Sequence, residues 1–178
     1  MRKVLLTAVI LLGVPTAAGI GWSAPPPSAA ATQHLINRVR HELVMLPYYG
    51  VFDNLEFRLD GNNVTLMGQV TRPTLKSAAG NVVKEIEGVG QVVNQIEVLP
   101  PSGQDDAIRV AVYRAVYSQP PLQQYQLRAV PPIHIIVKSG NVTLAGVVAS
   151  QADKNIAGMA AKGVSGTFSV TNNLRVEK

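Results

Sequence analysis

The chain of 178 residues contains no cysteine. Disulfides are therefore excluded, as is a lipid-modified cysteine at the N-terminus, and an exported protein of this kind suits a bacterial periplasm better than a small extracellular scaffold. Histidine is also scarce, with three residues. His34 and His41 stand seven positions apart on a predicted helix, about 10.5 Å along its axis at 1.5 Å per residue. That is too far to share a metal whose bonds to nitrogen are about 2.0 Å. His134 faces away from Ile133 and Ile135 on a predicted strand, and all three are expected to be ordinary surface histidines. The sequence has no nucleophile elbow, no HExxH and no acid pair common to its two halves, so the groups a reaction needs are missing. Gly88-Val89-Gly90 follows a predicted helix instead of opening one and lacks the geometry that aims backbone N–H groups at phosphate. These absences point to a protein that is not an enzyme and carries no cofactor and no metal.

What the chain does have is a repeat. Asn63-Val64-Thr65-Leu66 followed by Gly68 returns as Asn141-Val142-Thr143-Leu144 followed by Gly146, 78 positions later. The same shift carries Gly88, Val92, Asn94, Ile96 and Val98 onto Gly166, Val170, Asn172, Leu174 and Val176, and Leu55, Phe57 and Leu59 onto Ile133, Ile135 and Val137. A period this long is a whole small domain present twice, because solenoid repeats run at roughly 20–50 residues. Apolar positions and turn residues persist between the copies while polar ones change, which preserves a fold and no shared reactive set.

Charge is missing from the N-terminal stretch, where no Lys, Arg, Asp or Glu occurs between Lys3 and Arg38. Arg2 and Lys3 precede an apolar run from Val4 to Val14, closed by Pro15 and small residues. This reads as an export signal over residues 1–24 with cleavage near 18. The alternative is a retained inner-membrane anchor facing the periplasm, although Gly13, Pro15, Gly19 and Gly21 make a poor span. Residues 25–33, rich in proline and alanine, read as a stiff uncharged tether. Nothing further along is long and apolar enough to cross a membrane. Residues 32–100 hold six Lys/Arg against seven Asp/Glu, whereas 105–178 hold eight against four. The basic half suits acidic lipid or an acidic partner, and export argues against nucleic acid.

In each copy the periodicities give the order αββαβ. Leu35, Val39 and Leu43 mark a first helix ended by Leu46-Pro47. Leu55, Phe57 and Leu59 alternate with polar residues, Asp60-Gly61-Asn62 turns the chain, and Val64, Leu66 and Val70 resume, which is a hairpin. Thr71 is placed to cap a second helix that carries Pro73 in its first turn. Val92, Ile96 and Val98 make a third strand, able to pair with either strand of the hairpin. The expected fold class is α+β, two tandem αββαβ domains at 34–99 and 107–178, each a three-stranded mixed sheet packed by two helices and joined by a linker at 100–106. Ser150 and Asp153 form a capping box in the second copy. Asn94 and Asn172 share the phase of buried strand residues and are read as amides satisfied by nearby backbone.

Asp60-Gly61, Val64-Thr65-Leu66-Met67-Gly68-Gln69-Val70, Gly88-Val89 and Val92-Val93-Asn94-Gln95-Ile96-Glu97-Val98 together resemble the BON domain. Gly140 to Val148, Gly166 and Val170 to Val176 repeat the resemblance, which covers about 35–98 and 108–176. It marks Gly61, Gly68, Gly88, Asn94, Gly140, Gly146, Gly166 and Asn172 as the family's structural motif. The resemblance implies an αββαβ fold, export to the bacterial envelope, a link to osmotic stress or envelope maintenance, and association with a phospholipid membrane surface or an envelope protein. A scaffold docking a membrane or cell-wall complex is the second reading.

Two features of the second copy stand out as contact surfaces. Its sheet is apolar on the face away from the core, with Ile136 and Val147 beside Lys138, and such a face needs a cover from the other domain, a partner or lipid. Its proline-bounded loop, 119–132, carries Leu122, Tyr125, Leu127 and Arg128, an aromatic and a cation expected at a membrane interface.

Overall fold

The computed structural model describes residues 29–177, so the expected export signal and the start of the tether lie outside the described residues. Helix α1, Ala29–Val44, buries Leu35, Val39 and Leu43 along one stripe. It begins inside the stretch expected to be tether, because Ala29 to Ala31 are among the best helix formers. Strands β1, Asn54–Asp60, and β2, Asn63–Val70, form the expected hairpin, with Phe57 opposite Leu66 and Leu59 opposite Val64. Helix α2, Pro73–Lys84, follows. The second copy repeats the plan with α3, Gly103–Tyr117, a 3-10 turn at Pro120–Leu122, a one-turn α4, Gln123–Gln126, then β5, Ile133–Lys138, β6, Asn141–Val148, and α5, Gln151–Lys162. Helix α3 starts within the expected linker, since the Ser102 hydroxyl accepts from the Asp105 N–H at 3.2 Å.

The third strand lies parallel to the second strand of the hairpin in both copies. It is also broken in two. In the first copy β3, Val92–Asn94, and β4, Glu97–Val98, pair successively with β2; in the second, β7, Ser169–Asn172, and β8, Arg175–Val176, pair with β6. The cause is the asparagine. Asn94 Oδ1 accepts from the Ile96 N–H two residues on, at 3.2 Å, which turns the backbone out of the ladder. Its Nδ2 donates to the Lys76 carbonyl on α2 at 2.8 Å. Asn172 does the same with Leu174 and with Lys154 on α5. Each amide thus fastens sheet to helix, and the helix has a glycine where it approaches: a Cβ on Gly80 or Gly158 would lie 2.7 or 2.6 Å from the amide nitrogen.

Two other expectations are corrected. Thr71 does not cap α2, whose N-cap is Arg72 without a side-chain bond. Thr71 instead gives both its N–H and its hydroxyl to Asp53 Oδ1, at 2.7 and 2.9 Å. Ser150 does cap α5 by accepting from the Asp153 N–H, yet the Asp153 carboxylate is turned elsewhere and accepts from the Tyr125 hydroxyl. Each sheet packs its helices over one core, the first centred on Val39, Leu66 and Val83, the second on Val112, Ile135 and Leu144.

Candidate functional site at the seam between the domains

The outer face of the second sheet is partly covered, and the first domain supplies the cover; the remainder lines a cleft. Ile136, Ala145 and His134 on that face are all buried. The short connection between α1 and β1 reaches across to do it. Tyr49 stacks on the His134 ring at 5.5 Å and 23°. At the free edge of β5 the Ile135 N–H donates to the Val51 carbonyl at 2.7 Å. Val51 and Phe52 pack against the second core, where Phe52 meets Tyr113 edge-on at 6.2 Å. Asp53, itself buried, ties this segment down through Thr71 and by accepting from the Gly50 N–H at 3.3 Å. Lys138 and Glu97 close the seam at 2.5 Å, an exposed pair that contributes little.

His134 is therefore not a surface residue: it is 8% exposed. Its Nδ1 lies 3.3 Å from the Gly50 carbonyl and its Nε2 3.4 Å from the Tyr49 hydroxyl. A carbonyl only accepts, so the neutral ring carrying its proton on Nδ1 fits both neighbours, with Nε2 accepting from the tyrosine. Burial pushes the His134 pKa down, against the bond to Gly50 and the nearby charges of Asp53 and Glu56. Burial likewise raises the Tyr49 hydroxyl to about 12. With its pKa lowered in the docked state, His134 binds fewer protons there than when released. Docking is then fully stable above about 6.5, the value of a free histidine, and weakens as pH falls below it. The thermal midpoint of the wild-type chain is expected to fall through this window, and His134→Gln should flatten that part of the profile. Parallel profiles for the two proteins would show that His134 is not the responsible group.

The residues nominated as membrane contacts separate into two sets. Leu122 is fully buried, and Tyr125 is buried with its hydroxyl donating to Asp153 Oδ2 and accepting from the Ala149 N–H, both at 2.8 Å. These two are corrected to core residues: the prolines fold the loop back as the 3-10 turn and α4, which plug the second core. Ile136 is likewise buried at the seam, Lys138 is engaged with Glu97, and Val147 is half-buried. Leu127 and Arg128 alone project freely, Leu127 being 89% exposed. Leu127 shares a depression of about 590 Å³ with Arg114 of α3 and the aromatic rings of Tyr113 and Tyr117. The glycines of the family motif, Gly61, Gly68, Gly88, Gly140, Gly146 and Gly166, all have positive φ.

A larger cleft of about 1320 Å³ opens between the domains, running from α1 past β1 to the outer face of the second sheet. Sequence reasoning singled out neither this cleft nor Tyr49, Val51, Phe52 and Asp53. The available signal was the run of aromatic and apolar residues at 48–52, unusual for a connection expected to face water. Among the described residues no group of three or more His, Asp or Glu side chains is placed to hold a metal, and no helix is long and apolar enough to cross a membrane.

No curated protein matches the chain. Two solved structures of CdsD, a structural protein of the type III secretion system of Chlamydia trachomatis, are similar at 12% identity. One is of its C-terminal domain, with 81% of this chain and 98% of that chain covered; the other covers 82% and 94%, and both have a TM-score of 0.29. Likeness at that level carries no argument. The BON domain family, by contrast, matches twice, at residues 52–100 and 104–178. The first match takes in β1 to β4 and leaves α1 and the connection up to residue 51 outside; the second runs from α3 to β8. With both matches falling on the repeated hairpin, its positive-φ glycines and the asparagine that follows, the chain belongs to the BON-domain family.

Proposed function

We propose that the chain is a non-catalytic, exported module of the bacterial envelope that docks reversibly on an anionic phospholipid surface through its second domain. Membership of the BON family supports an envelope role. The observation that carries the reading is Leu127, a bare apolar side chain between two arginines. Arg114 shares its depression and Arg128 is the next residue, and neither belongs to an ion pair among the described residues. Because Leu122 and Tyr125 anchor the loop in the core, Leu127 is presented without the cost of ordering a mobile segment. Each cation near an anionic membrane contributes about 1 kcal/mol, and an inserted leucine adds to it. Screening limits the electrostatic reach to about 8 Å at physiological salt.

Co-sedimentation of the mature protein with neutral and anionic vesicles, at low and high salt, tests this. Binding is expected with anionic vesicles only, and it should weaken as salt rises. Leu127→Ser, Arg114→Ser and Arg128→Ser should each weaken it by about fivefold. Equal binding to neutral vesicles, or variants that bind like wild type, would reject the reading.

A further inference from the structure

We propose that the cleft between the domains receives an extended segment of a partner protein, alternating apolar and acidic residues, which pairs as an added strand along the free edge of β1.

Strand β1 pairs with β2 on one side only, so its other edge carries no strand among the described residues. That edge lines the cleft continuously, with Asn54 through Leu59 all in its wall. The direction of the edge groups follows from the repeat. Ile135 of β5 is the counterpart of Phe57, and the Ile135 N–H points away from β6 to reach Val51. By the same register Leu55, Phe57 and Leu59 turn their N–H and C=O groups away from β2. The backbone of Leu55 is met by Tyr49. Phe57 and Leu59 face the cleft.

The free edge of β5 is already occupied from within the chain. A turn at residues 50–53, closed by the Asp53 N–H on the Gly50 carbonyl, accepts the Ile135 N–H at the Val51 carbonyl and packs Val51 and Phe52 against the second core. With Tyr117 and Arg109 of α3 donating to the Ile133 and Val137 carbonyls on either side of that contact, Ile133, Ile135 and Val137 are all fully buried. Their counterparts Leu55, Phe57 and Leu59 remain half-buried, packed on the first core but open along the cleft wall that they share with Ile36 and Leu43 of α1. The first domain thus has the acceptor groove without the inserted segment.

Charge selects the segment. Arg40, Arg58, Arg128 and Arg175 all line the cleft, and none is in an ion pair among the described residues. Glu56 is the one carboxylate in that lining, and it accepts from Asn54 Nδ2 at 2.9 Å. Side chains alternate across a strand. One side of an added strand would therefore meet Leu55, Phe57 and Leu59, and the other would meet Arg58 and, across the cleft, Arg175. An acyl chain fits less well, because it would leave the edge N–H and C=O groups of β1 unpaired on desolvation. The unoccupied part of the edge, Phe57 to Leu59, spans about 7 Å, enough to pair three or four residues of partner.

The test uses the mature full-length chain and a fluorescent peptide of about eight residues in which valine and glutamate alternate. Fluorescence anisotropy compares it with a peptide of the same composition in two blocks and with an alternating valine–lysine peptide. The alternating acidic peptide is expected to bind at least about tenfold more tightly than either control. Reversing two exposed charges, Arg58→Glu with Arg175→Glu, should weaken it by about tenfold or more and admit the lysine peptide. In the wild type, the Phe57 and Leu59 amides should become protected from hydrogen exchange on binding, a readout that holds even if the double variant melts early. Absence of binding, indifference to residue order and charge, or saturation without protection of those amides would overturn the proposal. So would a double variant that loses anionic vesicles and keeps the peptide, since the cleft would then be a lipid site. Arg128 belongs to both surfaces, whereas Leu127 and Arg114 lie outside the cleft lining. Leu127→Ser and Arg114→Ser should therefore weaken vesicle binding and leave peptide binding unchanged, which separates the two readings.

Discussion

Gly146→Ala is expected to unfold the second domain, and Gly68→Ala the first. Gly146 has φ +119°, and a Cβ there would lie 1.9 Å from the Pro132 carbonyl oxygen; Gly68 has φ +104°, with the Asn54 carbonyl oxygen 2.1 Å away. Both sit opposite the start of the first strand, Gly146 facing Ile133 and Gly68 facing Leu55. There the twisting backbone brings the preceding carbonyl over the α-carbon. The Pro132 oxygen also accepts from the Val147 N–H at 3.1 Å, so it cannot swing aside without losing that bond. Holding an L-residue at such a φ costs about 1–3 kcal/mol. Forcing a methyl group onto fixed backbone adds about 1–3 kcal/mol or more. Together these approach the whole stability of a small domain, at roughly 0.05–0.15 kcal/mol per residue. A thermal melt should fall by about 15 °C or more, at about 4–8 °C per kcal/mol for a domain of this size. A variant that melts within about 3 °C of wild type would mean that the strand relaxes and the glycine is dispensable.

The two hairpins and the two amphipathic helices were legible because each rests on a local periodicity that burial enforces: Leu55, Phe57 and Leu59 do share a face with Val64 and Leu66. The family resemblance marked Gly68 and Asn94 as motif positions without a cause. The causes are non-local, a carbonyl 14 residues earlier in the chain for the glycine and a helix carbonyl 18 residues earlier for the asparagine. The break in the third strand was hidden for the same reason, since the alternation of Val92, Ile96 and Val98 continues through it. Leu122 and Tyr125 were misplaced because a proline-rich stretch reads as surface loop, and only the partner Asp153 reveals that it folds inward. The apolar second face of the β5–β6 sheet was visible as a surface needing a cover. Which residue covers it was not, because Tyr49 stacks on His134 from the other copy, 85 positions away, while Val51 and Phe52 join the core on the opposite face. A side chain whose burial depends on another domain leaves no periodic signal in its own.

Leu144→Ala and Leu66→Ala are expected to be the next most damaging changes, and to differ in their reach. Both leucines are fully buried at the centre of their sheets, opposite Ile135 and Phe57. Truncation removes transfer energy and leaves a cavity, at about 2–5 kcal/mol each. The difference lies at the seam. Val51 and Phe52 of the first domain are part of the second core's packing, so loss of the second domain exposes them and strips the cover from Tyr49. Leu144→Ala should therefore shift the urea midpoint seen by probes in both domains, within one transition whose m-value is unchanged. Phe52→Ala removes the main insertion, and in that background Leu144→Ala should move the second domain's transition alone. The double-mutant cycle between Phe52 and Leu144 reads the coupling as the departure from additivity. Additive effects, with both domains still unfolding together in the Phe52→Ala background, would show that Phe52 does not carry the coupling. A Leu144→Ala chain that melts like wild type would mean that the face assigned to β6 is wrong.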